Sequence, residues 1–147
     1  MAVTGALYGL FFTALANEEH DLADDTIKVM LTTSAYTPDQ DAHNYKDDVT
    51  NEVTGTGYTA TGATLANKTI TYTAGTNTWK FDADDATWTT STITARTAVV
   101  YNATGGGTDA TRGLIGYQQS DTDITSSGGT FTVAWHADGI VSIVVGT

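Results

Sequence analysis

The sequence predicts an all-β protein, an antiparallel β-sandwich with a short N-terminal helix, and three observations carry that prediction. From Thr26 onward apolar residues recur at every second position rather than every third or fourth. The alternating segments are rich in Thr, Val and Ile, whose branched Cβ suits a pleated, half-buried surface. Gly-, Asn- and Asp-containing turns separate them at short intervals. About eight strands of this kind fit a sandwich, with a jelly roll among the compatible topologies. The 147 residues suit one domain, 1–147, which at this size buries roughly 68–70% of the surface its unfolded chain exposes.

The elements follow in order. Val3 to Ala16 is apolar, with Tyr8, Phe11, Phe12 and Leu15 at helical spacing, so residues 3–16 are expected to form an amphipathic helix that either caps its own sandwich or serves as a docking arm. The first basic residue is Lys28, so the stretch lacks the positive start of a secretory signal, and Gly5 and Gly9 interrupt a run too short to span a bilayer. Ile27, Val29 and Leu31 then alternate with Lys28, Met30 and Thr32 as a strand with one face buried. Tyr36 to Asp48 reads as a long loop around the only proline, Pro38, with a helical turn near 42–46 and with partner contacts as a reason for its length. Glu52 to Leu65 holds three glycines and reads as a short, irregular strand anchored by Tyr58.

Lys68–Thr73 and Trp79–Phe81 form a hairpin around Ala74-Gly75-Thr76-Asn77, placing Ile70 and Tyr72 opposite Trp79 and Phe81 in the core. Asp82-Ala83-Asp84-Asp85 is a turn. Ile93–Tyr101 is expected to be the longest strand, buried on both faces. Gly105-Gly106-Gly107 marks a surface loop, Leu114–Gln118 returns as a strand, and Ser120–Gly129 reads as a polar loop. A closing hairpin points Phe131, Val133 and Trp135 inward, turns at Asp138-Gly139 and pairs 140–145 back on it.

The run from Asp25 to Tyr101, with IKVMLTTSAYTP, DVTNEVTGTGYTATGATL, DADDATW and TARTAVVY, followed by LIGY and GTFTVAWHADGIVSIVV, resembles a family of small virion structural proteins of tailed double-stranded DNA bacteriophages. The matching pieces cover nearly the whole chain after about Asp24, and their order and spacing are more specific than any one motif. The resemblance implies a virion component without catalysis, a capsid decoration or cement protein on the capsid exterior whose partner is the major capsid protein, or else a tail or neck component. It implies self-association, with a homotrimer as one form, and carries over no catalytic or ligand residue.

The composition fits that expectation. Seventeen Asp and Glu against six Lys and Arg give a formal charge of −11, which repels phosphate backbones and anionic membranes, so neither nucleic acid nor membrane is an expected partner. Cysteine is absent, which removes disulfides, thiolate metal sites and thiol nucleophiles.

No cofactor, metal or catalytic set is expected. Asp21, Asp24 and Asp25, then Asp82, Asp84 and Asp85, then Asp121 and Asp123 are local carboxylate groups, but none fits a calcium loop with its terminal bidentate Glu. Asp82, Asp84 and Asp85 are the group most worth checking for calcium, although Asp at strand ends ordinarily serves turn geometry. His20, His43 and His136 fall on three separate segments without zinc-binding spacing. There is no nucleophile elbow, and the few glutamates give no facing pair for glycoside hydrolysis. Carbohydrate stacking is a further reading if Trp88 is exposed. For partner contacts, Leu7, Tyr8, Phe11 and Phe12 are the expected apolar anchor, and Tyr36, Tyr45 and Trp88 the expected loop contacts.

Overall fold

A computed structural model describes residues 2–104 and 107–146. Strands β1 (Val3–Leu7), β2 (Ile27–Thr32), β3 (Ala63–Thr64), β6 (Ala86–Asn102) and β7 (Leu114–Val133) form one sheet in the order β1-β7-β6-β2-β3, while β4 (Thr69–Thr73), β5 (Thr78–Asp82) and β8 (Val141–Val144) form a second in the order β4-β5-β8. Every pairing is antiparallel. The sandwich is therefore as the sequence predicts. Its hairpins β4–β5 and β6–β7 each stay within one sheet, and no three consecutive hairpin strands take a fourth back beside the first, so the two Greek keys of a jelly roll are not formed.

The spine is the β6–β7 ribbon, paired from Ala86 opposite Val133 to Tyr101 opposite Leu114. β2 covers the second half of β6, from Thr97 to Asn102, and β1 covers the first part of β7, from Gly116 to Ser120. Two cores result. Val29, Leu31, Ile93, Val100, Ile115 and Phe81 meet between the sheets. Tyr8, Met30, Tyr36, Val99, Tyr101 and Leu114 form a second cluster on the opposite face of the large sheet, with Val49 of the long 33–62 connection packed against it. The centre of β6 is accordingly buried on both faces, as its run of apolar residues predicts.

Several expectations are corrected. Residues 3–16 are not one helix: Val3–Leu7 is a strand and only Phe11–Ala16 is helical (α1). Val3, Thr4 and Gly5 are poor helix formers, and the edge of β7 offers them a full ladder from Val3 opposite Ser120 to Leu7 opposite Gly116. Ser120–Gly129 lies within β7 rather than in a loop: Ser120–Asp123 bulge out of the ladder opposite Arg96, and from Ile124 to Gly129 pairing to β6 outweighs polar composition, with the Ser91 and Ser126 hydroxyls 2.8 Å apart inside the ribbon. The helical turn of the long loop lies at Lys46–Asp48. Residues 140–145 do not pair back on β7. After the Asp138-Gly139 turn, with φ +85° at Gly139, β8 crosses to the other sheet and sets Val141 opposite Phe81.

The β4–β5 hairpin is the predicted one, and its register sets Ile70 opposite Phe81 and Tyr72 opposite Trp79, four side chains on one face. Phe81 is fully buried, whereas Ile70 and Tyr72 are exposed, because β4 is the outer edge of the smaller sheet. Of the predicted triglycine loop, Gly105 and Gly106 lie outside the described residues.

Candidate functional site

The expected contact residues divide by burial. Tyr8, Phe11, Tyr36 and Trp88 retain at most 6% of their accessible surface and are core residues in this structure, not surface anchors. Tyr8 and Tyr36 belong to the second core. Phe11 packs between Phe12 and His20, with ring centroids 5.0 and 5.7 Å away. Trp88 sits between Tyr58 and the edge of Phe131, at 5.9 and 6.1 Å, so no ring is presented there for stacking a sugar. Leu7 and Tyr45 are half-buried. Phe12 alone of the seven is exposed, at 44%.

The carboxylate groups hold turns together. Asp21 accepts the backbone N–H groups of Ala23 and Asp24, and Asp25 accepts that of Asp21 together with the Asn102 side chain. Asp82 pairs with Lys80 at 3.1 Å, Asp84 accepts the Asn67 amide, and Asp85 accepts the backbone N–H of Trp135 at 2.9 Å. Among the described residues no three His, Asp or Glu side chains converge as metal ligands.

The buried polar groups are likewise committed to architecture. Tyr58 donates to Glu52 at 2.7 Å and accepts the Leu31 backbone N–H, tying the irregular 52–62 segment to β2. Burial pushes the Tyr8 and Tyr58 hydroxyls well above the ordinary phenol range, raises that of Tyr36, and pushes that of Tyr101 up to about 12. They stay protonated at neutral pH, so none is poised as a base. His20 accepts from Asn102 at Nδ1, 3.3 Å away, and its buried Nε2 has no protein partner; burial lowers its pKa.

Charge is distributed unevenly. Each cationic side chain is engaged within the chain: Lys46 and Arg112 with Asp109 at 2.7 and 2.8 Å, Lys80 with Asp82, Arg96 with Asp123 at 2.9 Å, Lys28 with the Thr61 hydroxyl and Lys68 with the Asp25 carbonyl. Asp109 is held below the usual carboxylate range, chiefly by Lys46. Among the described residues only Asp82, Asp109 and Asp123 form ion pairs with Lys or Arg, which leaves an acidic exterior.

A concavity between the sheets is large enough to receive a partner. A half-open groove of about 710 Å³ runs between the two sheets on the side where β1 and β7 extend past β8. Its floor includes Leu7, Ala98, Ile124 and Val133, and its far wall Trp135, Ile140 and Val141. Sequence reasoning missed it because it arises from unequal sheet widths, which depend on β8 leaving β7 for β5. The only sequence signal is the absence of charge and proline from VTGAL in β1 and VSIV in β8.

Comparison with known proteins finds no matching family model, no matching curated protein and no matching solved structure.

Proposed function

We propose that this chain is a structural protein of a tailed-bacteriophage virion, a decoration (cement) protein that binds the outer surface of the major capsid lattice and clamps neighbouring subunits against the pressure of packaged DNA. The reading rests on the resemblance of nearly the whole chain after Asp24 to that family. The disposition of polar groups supports it: buried tyrosines, Asn102 and the aspartate groups are consumed in holding strands and turns. Such a protein works by presenting a surface, and here that surface is acidic with one apolar groove. Self-association, a homotrimer among its forms, belongs to the same reading.

The deciding experiment is the copy number of the chain in purified virions, by quantitative mass spectrometry against the major capsid protein. A number comparable to the capsid protein is expected. A few copies per particle would move the protein to the neck or tail, and absence from virions would end the structural reading.

A further inference from the structure

The two sheets are unequal, five strands against three, and the missing width lies over the inner face of β1 and β7. β8 borders this gap with an edge that no strand of the described residues pairs. Natural sheet edges are blunted by lysine, proline, bulges or a covering loop. β8 has none of these in its sequence, VSIV, and the chain leaves it through Val144 and Val145, 65% and 50% exposed. Opposite, Val3 at the start of β1 is 50% exposed, and at Gly5 an added Cβ would meet only the carbonyl of Tyr117 and the side chain of Gln118, at 3.6 and 3.9 Å. The result is a floor of Val3, Gly5, Leu7 and Ile124 with the unpaired edge of β8 beside it.

We propose that this groove receives an extended, basic β-strand of another protein, added to the free edge of β8 as a fourth strand of the smaller sheet. A strand at that position makes main-chain hydrogen bonds to β8 and turns every second side chain onto the Leu7 and Ile124 floor, the usual division of affinity and specificity in strand addition. A strand added to β1 instead would widen the large sheet and leave the groove empty. Charge selects the occupant. The groove lining itself carries Arg96 and His136, each beside a carboxylate, Asp123 and Asp138, and Asp85 next to it accepts the Trp135 N–H, so the acidity a partner meets is that of the protein as a whole. A second copy of this chain, with net charge −11 and each Lys and Arg engaged, meets like charge. A strand carrying lysine or arginine at its solvent-facing positions meets complementary charge. The groove suits such a strand whether or not its source is a capsid subunit.

The test uses synthetic peptides of about ten residues in which valine alternates with lysine, and counterparts in which glutamate replaces lysine. Binding is read by hydrogen exchange of the Val141–Val144 amides. The lysine peptide is expected to slow exchange there, to bind about tenfold or more tightly than the glutamate peptide, and to weaken as salt is raised. Gly5→Trp, which fills the floor from an open position, should abolish the protection. Ser142→Lys, an exposed change on β8, should weaken binding of the lysine peptide while leaving the fold intact, and it keeps the test valid if Gly5→Trp does not fold. Equal binding of both peptides, or no protection up to about 1 mM peptide, would overturn the proposal. So would a dimer of the free protein in sedimentation that Gly5→Trp dissociates, because the occupant would then be a second copy.

Discussion

The hydroxyls of Tyr8 and Tyr36 lie 2.9 Å apart beneath the 33–62 connection, and that of Tyr36 also lies 3.0 Å from Nδ1 of His43. Nδ1 accepts the Asp39 backbone N–H as well, so Tyr36 donates to His43 and Tyr8 donates to Tyr36. The chain of donors fixes the order of mutational costs. Tyr8→Phe leaves Tyr36 with its histidine and should cost about 1 kcal/mol. Tyr36→Phe strands the buried Tyr8 hydroxyl and should cost about 1–3 kcal/mol. Urea midpoints of the two variants check the order; equal losses would mean that the Tyr8 hydroxyl finds another partner.

His20 makes stability depend on pH. Its side chain is buried against Phe11 and Asn102, and burial lowers its pKa below the ordinary 6.5, with Glu19 and Asp25 opposing the shift in part. With the folded value below the unfolded one, the unfolded chain binds more protons between the two. The contribution is therefore complete above about pH 6.5 and is lost as pH falls below it. Urea midpoints measured from pH 7.5 downward should decline more steeply for the native protein than for His20→Gln. Parallel curves would show that His20 is not the titrating group.

Two glycines with positive φ should respond very differently to alanine. At Gly62, φ is +76° and a Cβ would stand 1.9 Å from the Val29 carbonyl oxygen and 2.7 Å from the Met30 Cα, so the substitution forces the β3 segment off β2. At Gly128, φ is +68° with nothing within 4 Å, and only the left-handed backbone penalty of about 1–2 kcal/mol applies. Thermal denaturation should show Gly62→Ala losing clearly more than Gly128→Ala. Similar losses would mean that 52–62 is held loosely.

The sequence was most legible where one face of a strand had to be buried. Ile27–Leu31, the shared face of Ile70, Tyr72, Trp79 and Phe81 and the doubly buried centre of β6 follow from period-two patterning alone. It was least legible where the partner decided the outcome. Ile124–Gly129 looks like part of a loop until β6 supplies its ladder, and 140–145 looks like the return of a hairpin until Phe81 takes Val141 as its neighbour. The surface assignment of Tyr8, Phe11, Tyr36 and Trp88 failed for a related reason: an aromatic residue beside a loop can face either way, and the second core that takes up Tyr8 and Tyr36 has no periodic signature.

Adjacent phenylalanines in α1 separate the structural role of the N-terminal segment from any docking role. Phe11 is 1% exposed and Phe12 is 44% exposed, although the two rings are in contact at 5.0 Å. Phe11→Ser removes a buried ring and should cost about 3–5 kcal/mol, enough to unfold a marginal domain. Phe12→Ser should change stability by about 1 kcal/mol or less, since surface substitutions lie near ±0.5 kcal/mol and only part of this ring is covered. Chemical denaturation distinguishes the two. The folded Phe12→Ser protein then gives a clean assay in capsid co-sedimentation: weakened binding would mark α1 as part of the contact, and unchanged binding would assign the contact to other faces, the β8 groove among them.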